Sequence, residues 1–167
     1  MSVKVKNRHR LKNKEIRFFN NELRDKFCKN FLESKLSVEI GNIDHFEIII
    51  VDGEIDFILI EGRIFFTLNG LYKYKPKEYF VVVDMGAVGF ITKGADIMAP
   101  GIIDADLNIN KNDYVWICDE THHKPLAIGL ALVTGEEMIS NNKGKAIKNI
   151  HYVGDILWNY SNQVKQF

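Results

Sequence analysis

Between Asn13 and Glu33 the apolar residues Ile16, Phe19, Leu23, Phe27 and Phe31 recur at intervals of three and four. That spacing puts side chains on one face of a helix, so it predicts one amphipathic helix with an aromatic inner face turned to a core. The pattern then changes to short apolar runs, and three strands are expected at about 44–51, 54–60 and 63–68. Asp52-Gly53, between the first two, is a strong two-residue hairpin signal because such turns require positive φ. Glu61-Gly62 is a weaker one, and Asn69-Gly70 ends the third strand. The stretch 71–79, with Pro76 and alternating lysines, reads as the boundary between two units.

The second unit opens on Val81, Val82 and Val83, a β-branched run suited to a buried strand. Asp84 can cap a helix. Ala87, Phe90 and Ile91 then form an inward apolar face, and Gly86 and Gly89 keep the other face thin. Lys93 falls in the last turn, where a cation complements the carbonyl ends, and Gly94 is the left-handed stop. A helix so built exposes little beyond backbone and one lysine. Ala95, Ile97 and Ala99 alternate with Asp96 and Met98 as a strand does, and Pro100-Gly101 turns the chain. A loop, a hairpin, a short helix at about 135–141 and a closing strand follow. The helix starts from Thr134 and Glu137, which have capping-box spacing. Ile97 and Ile150 are expected in the core. Many short strands with close turn signals suggest a small barrel.

Charge sharpens this picture. Lys plus Arg and Asp plus Glu both number 22 in 167 residues, which argues against a surface coated in basic groups. The charges are nonetheless segregated. Lys4, Lys6, Arg8, Arg10, Lys12, Lys14 and Arg17 crowd the start against Glu15 alone, whereas Asp52, Glu54, Asp56 and Glu61 share a stretch with no base. Cations at a helix start oppose its dipole. The basic start is therefore either a solubilising tail, with 1–12 disordered, or a nucleic-acid arm over 8–14, with Arg8, Arg10, Lys12 and Lys14 as its contacts. The chain start has no apolar run after its charges, and no apolar stretch is long enough to span a bilayer, so a cytoplasmic protein is expected.

Catalysis finds little support. Cys28 and Cys118 are far apart and sit in apolar surroundings, as inert buried thiols do. His122-His123 resembles a metal pair, but neighbours on a strand point to opposite faces. The carboxylates Asp52/Glu54 and Asp119/Glu120 fit turns and strand faces. No phosphate-loop or deaminase motif is present, and no cofactor, metal or catalytic residue is expected. Phosphate binding needs cations or exposed amides. Lys93, the Gly94-Ala95 backbone and the Lys143-Gly144-Lys145 loop offer both. Asp96 could accept a base or 2′-hydroxyl hydrogen bond, or serve as a local turn carboxylate.

The run VDMGAVGFITKGADIMAPGI, residues 83–102, resembles the opening of a PUA domain, an RNA-binding module. DYVWICDETHHKPLAIGLALV, 113–133, resembles that domain's central hairpin, and NKGKAIKNIHYVGDILW, 142–158, its Gly-rich loop, closing strand and Gly-Asp-x-x-Trp end. Together with the HFEIIIVDGEIDFILIEGRIFF segment upstream, the layout is similar to the malignant T-cell-amplified sequence family of translation-associated proteins. The resemblance implies an α+β chain: an α/β pre-PUA domain over 1–77 packed on a PUA pseudo-barrel over 78–160, with a tail at 161–167. It implies a non-catalytic RNA-binding role in translation, on a tRNA acceptor end or small-subunit rRNA, aiding initiation or recycling. In that family the RNA lies along the first helix and the next strand, which here are Lys93, Gly94, Ala95, Asp96, Met98, Pro100 and Gly101, with Lys143, Lys145, Lys148 and His151 from the closing strand. The small ribosomal subunit and a second translation factor are the further partners it suggests. Two other roles stay open: an RNA-targeting subunit for a modification enzyme, and a protein scaffold using the apolar strands at 44–66.

Overall fold

The computed structural model describes residues 3–33, 35 and 37–165, the side chains of Val164 and Lys165 excepted. Met1 and Ser2 of the basic start, and Gln166 and Phe167 of the expected tail, lie outside the described residues. The chain divides into two compact units. One contains the residues up to Pro76 and those from Asn159 onward, and the other is Lys77–Trp158.

The first unit is a five-stranded antiparallel meander in chain order: β1 (Lys6–Arg10), β2 (Val38–Ile43), β3 (Phe46–Val51), β4 (Glu54–Ile60) and β5 (Arg63–Phe66). The hairpin signals hold, with φ of 48° and 87° at Asp52-Gly53 and of 50° and 79° at Glu61-Gly62. The helices are α1 (Asn13–Phe27) and α2 (Leu68–Tyr74). The α1 helix ends six residues earlier than the aromatic spacing predicts. Cys28 turns left-handed, and buried Asn20 accepts hydrogen bonds from Phe31 N (2.9 Å) and Leu32 N (3.0 Å). An Asn carbonyl thus anchors a turn, and Phe31 enters the core from that turn. There it meets Phe66 and Tyr74 edge-on, each with ring centroids 5.3 Å away. Cys28 itself is exposed, contrary to the sequence reading.

Asn69-Gly70 does not end a strand. Thr67 caps α2 by accepting from Gly70 N at 3.1 Å, and Gly70 lies so close to β4 that a Cβ there would stand 2.1 Å from the Asp56 carbonyl oxygen. Asp56 is buried and accepts from Tyr74 OH (2.7 Å), Lys73 Nζ (3.0 Å) and Asn69 Nδ2 (3.2 Å). Burial pushes its carboxyl up despite the pull of Tyr74 and Lys73. The basic start is a strand as well, fully exposed along β1, with Arg8 held to Glu39 by two hydrogen bonds of 2.9 and 3.0 Å. The apolar strands β3 and β4 offer no open docking edge. They lie inside the sheet, and Ile48, Ile49, Ile50, Phe57 and Ile58 are buried.

The second unit is a six-stranded sheet in the order β7-β11-β10-β9-β6-β8. Its elements are β6 (Phe80–Val83), α3 (Met85–Ile91), β7 (Ile97–Met98), a 3₁₀ turn (Ala99–Gly101), β8 (Ile102–Ala105), β9 (Tyr114–Asp119), β10 (Pro125–Ala131), α4 (Gly135–Ser140) and β11 (Lys145–Tyr152). Only β6 and β9 pair in parallel. Val81, Val83, Ile91, Ile97, Ile117 and Ile147 fill the core, while Ile150 is half-buried. Thr134 and Glu137 form the expected capping box. Cys118 is buried, and burial pushes its thiol up to about 12, which makes it inert. His122 and His123 are exposed in the β9–β10 turn, where Asp119 accepts from both backbone N–H groups. The last helix, α5 (Ile156–Lys165), covers much of the segment expected to be a tail. Its first turn is held by Asp155, which accepts from Trp158 N at 2.8 Å. No helix among the described residues is long and apolar enough to cross a membrane.

Candidate nucleic-acid interface

Asp84 ends β6 and accepts from Ala87 N at 2.9 Å, which starts α3 directly off the sheet. The helix lasts two turns. Gly94, with φ of 92°, reverses the chain, packed so that a Cβ would meet the Tyr152 ring at 3.1 Å. The returning segment is tied down by one residue of β11. Asn149 donates through Nδ2 to Ile91 O (3.2 Å) and Ala95 O (3.0 Å), and its backbone N donates to Asp96 Oδ1 (2.9 Å). Short β7 then pairs with β11, and Ala99 N donates to Gly144 O at 2.9 Å, drawing the loop before β11 to the same place.

A groove of about 610 Å³ results, walled by α3, the segment from Ala95 to Gly101, and Lys145. It combines six of the expected contact residues: Ala95, Asp96, Met98, Pro100, Gly101 and Lys145. Asp84, Gly86, Ala87, Phe90, Ile91 and Ile97 complete it, and of these the sequence pointed only to Gly86, as one of the small residues that let a backbone come close. Phe90 is the largest departure. Expected on the inward face, it is 70% exposed, and Met98 opposite in the lining is 46% exposed. Val88 and Ile91 take the inward positions, so Phe90 is left to the groove. The spacing alone gave no warning, because Phe90 and Ile91 stand three and four residues after Ala87 and so fit one apolar face.

Other expected contacts fall outside the lining. Lys93, Lys143 and Lys148 are exposed, Lys93 and Lys143 each two residues along the chain from a lining residue. Gly94 is a turn residue packed on Tyr152. His151 must be corrected. It is 1% exposed, and its Nδ1 lies 2.7 Å from Asp155 Oδ2, so no ligand on the surface reaches it. Burial alone would raise the Asp155 carboxyl. The His151 contact and the Trp158 and Tyr152 N–H groups outweigh it and hold the carboxyl below its ordinary range. Asp96 is half-committed, with one oxygen on Asn149 N and the other 3.3 Å from Lys145 Nζ. The described residues hold no cluster of three metal-ligating side chains.

A mixed sheet that carries this helix–loop–strand groove is the fold of a PUA domain, and residues 79–153 match the PUA-domain family. Residues 7–74 match a domain of unknown function, DUF1947. The chain belongs to the family of two-domain proteins that includes malignant T-cell-amplified sequence 1. It is 32% identical over 165 residues to malignant T-cell-amplified sequence 1-A of Xenopus laevis, covering 92% of this chain and 91% of that one. It is 44% identical over 161 residues to the uncharacterized protein MJ1432 of Methanocaldococcus jannaschii, covering 95% and 99%. Translation machinery-associated protein 20 of Schizosaccharomyces pombe is 39% identical over 113 residues, 65% of this chain and 62% of that one. Among solved structures, the crystal structure of hypothetical protein PH0734.1 from Pyrococcus horikoshii matches with a TM-score of 0.85 at 35% identity, over 92% of this chain and 99% of that one.

Proposed function

We propose that this is a non-catalytic, cytoplasmic RNA-binding protein of the translation apparatus, and that it grips structured RNA, a tRNA acceptor end or small-subunit rRNA, through the α3–β7 groove. The groove itself carries this reading. Small residues at Gly86, Ala87, Ala95 and Gly101 let a sugar-phosphate backbone come near, and Lys145 stands at its rim. Exposed Lys93, Lys143 and Lys148 add phosphate contacts beside it. The exposed cations of β1 and the start of α1, at Arg8, Arg10, Lys12 and Lys14, supply a second strip. The name of the Schizosaccharomyces pombe relative, translation machinery-associated protein 20, supports a place in translation. The small ribosomal subunit and a second translation factor are the partners proposed with that role.

The test is binding of the full chain to bulk tRNA and to small-subunit rRNA across a salt series, beside Lys93→Glu and a Lys143→Glu/Lys145→Glu pair. Affinity should fall with salt, and each lost phosphate contact should flatten the log–log slope by roughly 0.7 to 0.9. Wild-type protein that binds neither RNA at low salt, or variants that bind equally well, would sink the assignment.

A further inference from the structure

Ile103 (48% exposed), Leu107 (69%) and Ile139 (43%) lie outside the α3–β7 groove, and the fold gathers them. Ile103 is on β8, the last strand in the sheet order. Leu107 is the tip of the turn that follows, where Asp106 O accepts from Ile109 N at 3.2 Å and Asp106 Oδ1 from Asn108 N at 2.9 Å. Helix α4 packs against β8 and starts on this turn. Gly135 N donates to Ile109 O at 3.0 Å, and a Cβ on Gly135 would stand 2.1 Å from Asp106 O. Ile139 comes four residues after Gly135, so it shares the helix face that looks onto the turn and β8. Single apolar residues on a surface are ordinary, but three large ones along one seam mark a contact surface.

Charge says what the seam contacts. From Gly94 to Asn110, and again from Pro125 to Asn142, the sequence has no Lys, Arg or His, while Asp104, Asp106, Glu136 and Glu137 flank the apolar three. Asp106 and Glu137 are occupied, the first by Tyr79 N and Asn108 N and the second by Thr134 N. Asp104 and Glu136 are exposed and have no ion pair among the described residues. An acidic face repels RNA and the anionic surface of a membrane, and it attracts lysine and arginine. We propose that the β8–α4 seam docks a basic amphipathic segment of another protein, which seats aliphatic side chains among Ile103, Leu107 and Ile139 and sets its cations against Asp104 and Glu136. This does not rest on the groove being an RNA site.

The experiment is fluorescence anisotropy of the full chain with two labelled peptides, four repeats of Leu-Lys-Lys-Leu and four repeats of Leu-Glu-Glu-Leu. The lysine peptide should bind saturably at low salt, at least about tenfold tighter than the glutamate peptide, and loosen as salt rises. Leu107→Ser/Ile139→Ser should weaken it at least about fivefold. Asp104→Asn/Glu136→Gln should weaken it at least about threefold. Asp25→Asn/Glu47→Gln, a charge-matched pair exposed on the first unit, should leave it unchanged. A lysine peptide bound no better than the glutamate peptide overturns the proposal, and that comparison needs only wild-type protein. Seam variants that bind like wild type overturn it too, as does an equal loss in Asp25→Asn/Glu47→Gln, which would mean diffuse charge attraction. If wild type takes no peptide and sediments as a dimer that Leu107→Ser/Ile139→Ser splits, a second copy covers the seam and the proposal fails.

Discussion

Replacing Asn149 with aspartate would change one atom in shape and reverse the chemistry of the tie that holds the groove wall. The Nδ2 group donates to Ile91 O at 3.2 Å and Ala95 O at 3.0 Å. In Asn149→Asp a carboxylate oxygen takes its place against two carbonyl oxygens. Two net hydrogen bonds of roughly 1 kcal/mol each disappear, and repulsion is added in a half-buried site, for a total of about 2–4 kcal/mol. Asn149→Ala should cost less, about 1 kcal/mol. Ile91 O keeps the Gly94 N–H at 3.0 Å, Ala95 is exposed and its carbonyl can turn to water, and the buried Oδ1, which has no partner among the described residues, is removed as well. Urea denaturation followed by the fluorescence of Trp116 and Trp158, with tRNA binding measured alongside, reads both effects. The aspartate variant should be the less stable of the two at pH 7, the gap should narrow as pH falls and the carboxyl takes up a proton, and RNA affinity should drop in step with stability. An aspartate variant within about 0.5 kcal/mol of wild type, or one no worse than alanine, would show that Asn149 does not hold the wall.

Two further predictions concern stability. Gly70→Ala would put a methyl group 2.1 Å from the Asp56 carbonyl oxygen and should cost at least about 1–3 kcal/mol, whereas Gly89→Ala in α3 meets nothing within 4 Å and should gain roughly 0.5–1 kcal/mol; equal midpoints in urea would refute both. The Asp155 carboxyl is held below its ordinary range in the folded protein, so its stabilising contribution is complete above the unfolded value of about 3.9 and is lost as pH falls through the lower folded one. Asp155→Asn should therefore be less stable at pH 7 and lose less on acidification, which thermal melts from pH 7 to pH 3 would show or deny.

Elements announced by local chemistry were legible in the sequence. Asp52-Gly53, Thr134 with Glu137, and Asp84 with Gly94 act on the backbone within a few residues, so their turns and caps formed as expected. Elements that depend on a distant neighbour were not. The β1 strand has no apolar alternation and exists because β2 pairs with it. The α2 helix exists because Gly70 can press on β4, a demand set 14 residues earlier at Asp56. The groove followed the same rule. Its backbone path could be read, but the outward Phe90, the buried His151 and the split duty of Asp96 depend on partners distant in the chain or on core packing: Val88 and Ile91 in the core, Asp155 beside His151, and Asn149 and Lys145 on Asp96.

The β1 strand has a consequence for how the protein survives at high concentration. The runs IIIV of β3 and FILI of β4 are the kind of sticky, uncharged segments that stack into fibrils when an open sheet edge recruits another copy. The sheet that contains them closes on KNRHR, a row of polar side chains rich in cations. A shift in register between Lys6 and His9, with Asn7 at φ of 55°, breaks the regular ladder along that rim. A second molecule approaching edge-on would meet like charge and a mismatched set of amides. The basic start thus acts as a bumper, keeping the most aggregation-prone part of the chain from finding itself.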